Sequence, residues 1–324
     1  MDDALLGLHH VTAIAGDAQR NLDFYAGTLG LRLVKHTVNF DDPSTLHLYY
    51  GDGLGTPGSI VTFFAWPGGR RGRQGTGQAA VVSLAIAPES IGYWIARLIE
   101  RGVAYEGPLG RFGAAALALR DPDGLLIELV AAPEAPPRAS WPEAPVPPEH
   151  AIRGLYGATL WQEGYELTAR QLTETLGFRL VAEEENVFRF AVGPGGPGAL
   201  LDVRCTPGFW AGEVEVGTVH HLAWRAATPA QQQGWRQRVA AAGLDVTPVL
   251  DRQYFQSIYF REPGGVLFEI ATDPPGFARD EPVEHLGERL MLPPWLEPRR
   301  AALEAALPQL RRPGSNPHGY VDEP

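Results

Sequence analysis

The chain has 324 residues, with 27 basic against 38 acidic side chains, a formal net charge of −11 and a single cysteine. That length suggests about two domains, and 44% hydrophobic with 20% charged residues is the make-up of a globular protein. Lone Cys205 excludes an intrachain disulfide framework and a thiolate metal cluster, and the acidic balance argues against a surface that grips nucleic-acid phosphates.

The first stretch, MDDALLGLHH, has no basic n-region and no long apolar core. The longest apolar runs, such as 79–87, are shorter than the roughly 18–20 residues of a membrane span. A cytoplasmic protein without membrane or nucleic-acid partners is expected. Lys35 is the sole lysine and follows no glycine-rich phosphate loop.

Glycine and proline fall between short apolar runs, which predicts many strands joined by turns. Residues 6–15 read as a strand. Asp17 is placed to cap a helix over 21–29, with Leu22, Tyr25 and Leu29 at helical spacing and Gly30 as its stop. Strands follow over 31–38, 45–50 and 59–66. The order recurs: strand 80–87, helix 91–101 closed by Gly102, strands 114–119 and 125–131. Residues 132–150 are rich in Pro and Ala and read as a linker. A third unit runs from Gly154 to Arg204 and a fourth from Val219 to Thr272. A helix pattern over 296–310 belongs to a tail outside the repeat.

Two alignments support duplication. RDPDGLLIE at 120–128 matches REPGGVLFE at 261–269 in register. His9-His10 opens unit one and His220-His221 opens unit four; Gly30 and Gly243 then follow 20 and 22 residues after the second His of each pair. The predicted fold is therefore α+β: four βαβββ modules paired into two curved open β-barrels, plus a C-terminal helical tail. In chain order this gives modules one and two over 1–135, a linker over 136–151, modules three and four over 152–275, and a tail over 276–324.

The two His doublets carry the chemistry. Strand alternation predicts that one member of each faces a barrel interior. Glu128 and Glu269 each sit in an apolar strand and need a partner or a metal. Pairing units one and two offers His10 and Glu128; pairing three and four offers His221 and Glu269. Only the pairing of units one and four collects His10, His221 and Glu269. That is a 2-His-1-carboxylate set, the signature of non-haem Fe(II) oxygenases, although manganese suits it too. Glu128 is then structural. Thr12 shares the face of His10. Tyr259, on the strand before Glu269, is placed to donate to a substrate oxygen. His47 is a candidate behind the ligands, His36 is expected to be exposed, and His150, His285 and His318 fall in linker or tail. Trp295 and Leu296 are expected to cover a barrel edge.

The chain resembles the vicinal oxygen chelate superfamily and, within it, the hydroquinone-type ring-cleaving extradiol dioxygenases. The matching stretches include LGLHHVTAIAGDAQRNLDFYAGTLGLRLVKHTVNFDD, VHHLAWR, DRQYFQSIYFREPGGVLFEIATDPPGF and EHLGERLMLPPWLEPRR. The resemblance implies Fe(II) on His10, His221 and Glu269, with pocket roles for His9, Thr12, His220 and Tyr259. It also implies a basic residue before that tyrosine, for which Arg252 stands nearest. Aromatic dihydroxy substrates and O2 are the implied partners, and association into a homo-oligomer is compatible with exposed strand edges. Two other readings stand beside it: a glyoxalase-like Zn or Ni isomerase or lyase, and a metal-free protein that binds an aromatic compound or drug.

Overall fold

The computed structural model describes residues 4–311. Unit one comprises β1 (Leu8–Ala15), α1 (Ala18–Leu22), β2 (Arg32–Val38), β3 (Leu46–Gly51) and β4 (Ile60–Ala65). Unit two comprises β5 (Gln78–Ile86), α2 (Ile91–Glu100), β6 (Tyr105–Arg111), β7 (Ala114–Arg120) and β8 (Leu126–Ala131). Unit three has β9 (Leu155–Gln162), α3 (Glu166–Arg170), β10 (Arg179–Glu184), β11 (Val187–Ala191) and β12 (Leu200–Cys205). Unit four has β13 (Val219–Ala226), α4 (Pro229–Ala241), β14 (Leu250–Asp251), β15 (Gln256–Arg261) and β16 (Leu267–Thr272); α5 (Arg300–Ala306) lies in the tail.

The strands form two curved sheets of eight. One has the order β14-β15-β16-β13-β1-β4-β3-β2 and so joins units one and four. The other, β10-β11-β12-β9-β5-β8-β7-β6, joins units two and three. Each seam is an antiparallel pair of first strands, β1 with β13 and β5 with β9. All eight residues of β1 are buried, because the strand is covered on both faces. Helix α4 packs on β13, β15 and β16, and its Trp235 and Val239 belong to the same buried core as Trp224 and Phe268. The other face of that sheet is left to form a cup.

Local sequence explains most of the elements. Asp17 caps α1, its Oδ1 accepting from the Arg20 N–H at 2.7 Å. The predicted helix over 21–29 begins earlier, at Ala18, and its second half (Asp23–Thr28) winds as a π-helix. Gly30 then turns with φ of +75°, and a Cβ there would lie 2.5 Å from Val146 of the linker. Strand β6 is absent from the sequence reading. Its run YEGPLGR looks like a turn, but it lies on a sheet edge, where Pro and a register shift between Glu106 and Leu109 are tolerated. The tail helix is shorter than 296–310: a 3-10 turn (Glu297–Arg299) leads into α5, and Leu307 before Pro308 is extended. Leu296 is buried, whereas Trp295 is half exposed and meets Phe40 edge-on.

His36 departs from expectation. It is half-buried in β2 beneath the tail, bridged to Leu290, and its Nε2 has no hydrogen-bond partner among the described residues. Burial lowers its pKa to about 4 from an ordinary 6.5. The unfolded chain therefore binds this proton more readily than the folded one. Stability from this group is intact above pH 6.5 and falls as pH drops toward 4, by up to about 3 kcal/mol. The His36→Leu protein is expected to lose less stability than wild type between pH 7 and 4.5 in urea titrations. Equal losses would place the acid sensitivity elsewhere.

Candidate metal centre

The site lies where β1, β13 and β16 run side by side. Thr12 opposes His221 across the first pair, and Ala223 opposes Glu269 across the second. The β1–β13 register slips twice. It passes from Leu8↔Trp224 to His10↔Ala223, leaving His9 as the extra residue, and from Thr12↔His221 to Ala13↔Val219, leaving His220 as the extra residue. Each doublet thus contains a β-bulge, which re-aims side chains. Strict alternation would send the two rings of a doublet to opposite faces. Instead the two rings of each pair stand together, with Nδ1 of His9 2.9 Å from Nδ1 of His10, and Nδ1 of His220 2.8 Å from that of His221.

The outer ring nitrogens of the second histidines converge with a carboxylate. His10 Nε2 lies 3.3 Å from His221 Nε2, and Glu269 Oε2 lies 3.4 and 2.9 Å from them. Such edges suit ligands on adjacent corners of a metal with bonds of about 2.1 Å. Among the described residues, this is the one group of three such side chains close enough to share an ion. All three are buried. Ser257 donates to Glu269 Oε1, while Oε2 is sealed from solvent and has no hydrogen-bond partner among the described residues. A buried oxygen without a donor, facing two imidazole nitrogens, fits a cation. Burial would raise the Glu269 pKa, but His10 and His221 hold it well below the usual range. Burial lowers His221 against the pull of Glu269.

His10 and His221 line a cavity of about 340 Å³, with Thr12, His220, Arg252 and Tyr259 also on its wall and Glu269 buried behind the two ligand rings. Tyr259 sits opposite Glu269 in the β15–β16 register. Burial and the Glu269 charge raise its phenol pKa, against the pull of Arg252, so it is a hydrogen-bond donor. Arg252 Nε donates to the Tyr259 oxygen at 3.3 Å, and its outer nitrogens grip Asp41 at 3.1 and 3.0 Å. Thr12 Oγ1 is 3.2 Å from Thr62 Oγ1. Burial, with the neighbouring His221, lowers His220 to about 3.

His9 is the exception among the expected pocket residues. It is 1% exposed and off the cavity wall, packed 5.0 Å from the Phe255 ring behind His10. The bulge turns its Nδ1 toward His10 rather than toward the cavity. Ser257, Thr62 and Asp41 carry no sequence signal; their role appears only once the strands are in register. His150 stacks on Tyr93 and His285 pairs with Glu288 at the surface, both off the cavity wall, while His318 lies outside the described residues.

The second sheet is a control within the same chain. Glu128 occupies the place of Glu269, but Gly157 and Val81 occupy those of His10 and His221. There the carboxylate takes a hydrogen bond from Ser83 at 2.9 Å and an ion pair with Arg111 at 3.2 Å.

Comparison with known proteins agrees with this geometry. The Glyoxalase/Bleomycin resistance protein/Dioxygenase superfamily pattern matches residues 7–129 and 159–270. The chain is 47% identical over 302 residues to the Bacillus subtilis protein named "Putative ring-cleaving dioxygenase MhqO", covering 93% of this chain and 96% of that one. It is 36% identical over 302 residues to the chlorohydroquinone/hydroquinone 1,2-dioxygenase of Sphingobium indicum, covering 90% and 92%. The crystal structure of a Bacillus subtilis protein named "putative dioxygenase" superposes with a TM-score of 0.89 at 46% identity, covering 95% and 98%. Maize glyoxalase I, at 16% identity and a TM-score of 0.61 over 87% and 96%, shares the fold. With its paired βαβββ units and these relatives, the chain belongs to the Glyoxalase/Bleomycin resistance protein/Dioxygenase superfamily.

Proposed function

We propose that this protein is a ring-cleaving dioxygenase that holds iron(II) on His10, His221 and Glu269 and opens hydroquinone-type rings with O2. The carrying observation is the convergence of three buried ligand atoms, two of them from histidines that line a cavity of about 340 Å³. The name of the Sphingobium relative supports the substrate class. Iron bound there would supply open positions for a phenolic oxygen and for O2.

The chain's own groups do the rest. Ligation through Nε2 leaves the proton of each ligand histidine on Nδ1. His10 then donates to His9 and His221 donates to His220, which fixes both ring planes. His220 keeps its remaining N–H on Nε2 as a donor on the cavity side. Tyr259 supplies a second donor, oriented by Arg252, for an anionic substrate oxygen. Phe64 and Phe255 line the cavity and exclude water from the ring. The functional unit is the sheet shared by units one and four rather than either half of the chain order; units two and three brace it. Among the described residues no helix is long and apolar enough to cross a membrane.

Metal analysis of the purified protein, with O2 uptake on a panel of hydroquinones and catechols, tests this. About one iron per chain and O2 consumption matched to substrate are expected. Turnover without O2 uptake would overturn it. Tyr259→Phe is expected to lower kcat/KM about tenfold through one lost hydrogen bond, with metal content unchanged. Unchanged kinetics would remove Tyr259 from the mechanism.

A further inference from the structure

His47 is a cavity residue that the chemistry above does not use. It lies on β3, is 9% exposed, and lines the cavity. Its ring is clamped between Tyr49 and Phe64, at 4.0 and 4.3 Å between centroids. Its Nε2 is 2.6 Å from Thr62 Oγ1, and Thr62 in turn bonds Thr12. Its Nδ1 has no partner among the described residues, and it is not among the polar atoms sealed from solvent. A buried imidazole with one nitrogen fixed and the other open to a substrate cavity is a built hydrogen-bonding position.

We propose that His47 receives the substrate hydroxyl that does not bind the metal, and so selects 1,4-dihydroxy rings over monophenols. This rests on the hydroquinone reading above. A hydroquinone held by one oxygen at the triad carries its other hydroxyl to the far side of the ring, where a buried hydroxyl needs a partner. His47 supplies one in either tautomer. If Thr62 donates to Nε2, Nδ1 carries the proton and donates to the substrate. If Thr62 accepts, Nδ1 offers its lone pair. A phenolic hydroxyl can answer both. The Thr62–Thr12 chain holds the ring plane, and Tyr49 and Phe64 prevent it from turning away. A site built to pair a hydroxyl rejects the analogue that lacks one, because its own polar group is then stranded.

The test is a cycle of variant against ligand hydroxyl on the metal-loaded enzyme. Anaerobic affinities for hydroquinone and for phenol are measured in wild type, His47→Phe, His47→Asn and Thr62→Val. His47→Phe is expected to weaken hydroquinone about tenfold and leave phenol unchanged. His47→Asn, which returns a polar group near Nδ1, is expected to restore part of the difference. Thr62→Val leaves the imidazole in place and is expected to give a smaller loss confined to hydroquinone. Equal losses for the two ligands, or none, overturn the role of His47, while O2 uptake by wild type on hydroquinone keeps the parent reading standing. A wild type that consumes no O2 on hydroquinone overturns both. If His47→Phe does not fold, the Thr62→Val comparison decides alone by the same criterion.

Discussion

The Glu269→Gln protein is expected to fold, to bind no metal, and to lose ring cleavage by more than about 100-fold. Changes to groups that only orient a ligand lower affinity or activity by about 10- to 100-fold, and Glu269 is a proposed ligand itself. The amide keeps the shape and can still accept from Ser257, so packing changes little. It removes the charge toward which both Nε2 atoms point. Without metal, the variant leaves His10 and His221 facing an uncharged amide, so the metal-free wild type and the metal-free variant each serve as their own baseline. With metal, the wild type gains about 2.7 kcal/mol at 100 times Kd, and the variant gains nothing. Melting curves with and without added Mn(II), a redox-quiet probe, read this separately from activity. Glu128→Gln is the internal control: it touches the matching carboxylate of the other sheet and is expected to leave metal binding intact. A Glu269→Gln or His221→Ala protein that keeps full metal content and activity would remove the triad from the mechanism.

Sequence carried the site because the repeat carried it. The doublets mark corresponding positions of units one and four, the two PxGxLxE-like runs mark those of units two and four, and counting ligands over the possible pairings of units selected the set that the β1–β13 seam brings together. The details that escaped were set by register. Alternation predicted one inward histidine per doublet; His10 lines the cavity with His9 behind it, whereas in the second doublet the bulge puts both His220 and His221 on the cavity wall. No local residue type announces that bulge; it exists only relative to the partner strand, more than 200 positions away. Ser257 and Thr62 read as ordinary strand residues for the same reason. Edge strand β6 escaped because Gly and Pro are turn signals locally but are harmless where no ladder partner waits. The burial of His36 and of Lys35 reflects the tail lying across β2, a contact that periodicity within β2 cannot foretell.

Lys35 gives the largest expected effect on stability. Its side chain is 0% exposed, and its Nζ lies 2.6 Å from Asp280 Oδ1 and 2.5 Å from Glu281 Oε2. Glu281 is equally buried, and its other oxygen has no hydrogen-bond partner among the described residues. Tyr254 completes the cluster, its ring 5.0 Å from Nζ and its hydroxyl donating to Asp280 at 3.0 Å. One cation therefore serves two carboxylates in a sealed space. Lys35→Met leaves both acids behind, one of them fully buried, and breaking such a pair costs about 3–5 kcal/mol. For a chain of this size the melting temperature is expected to fall by about 10 °C. The double change Lys35→Met with Glu281→Gln removes the stranded charge as well, and more than half of the loss is expected to return. That recovery distinguishes electrostatics from lost packing, since the methionine is common to both proteins. The cluster also joins the tail to the cavity. Lys35 is paired with Tyr49 in the β2–β3 register, and Tyr254 precedes Phe255; both Tyr49 and Phe255 line the site. The tail segment carrying Asp280 and Glu281 is thus held by a charge that fits one register of the chain against β2. The double variant is expected to keep its metal while KM rises severalfold, because the wall is restored in stability but no longer fixed in position. A double variant no more stable than Lys35→Met would show that the lysine acts through its packed stem, not through its charge.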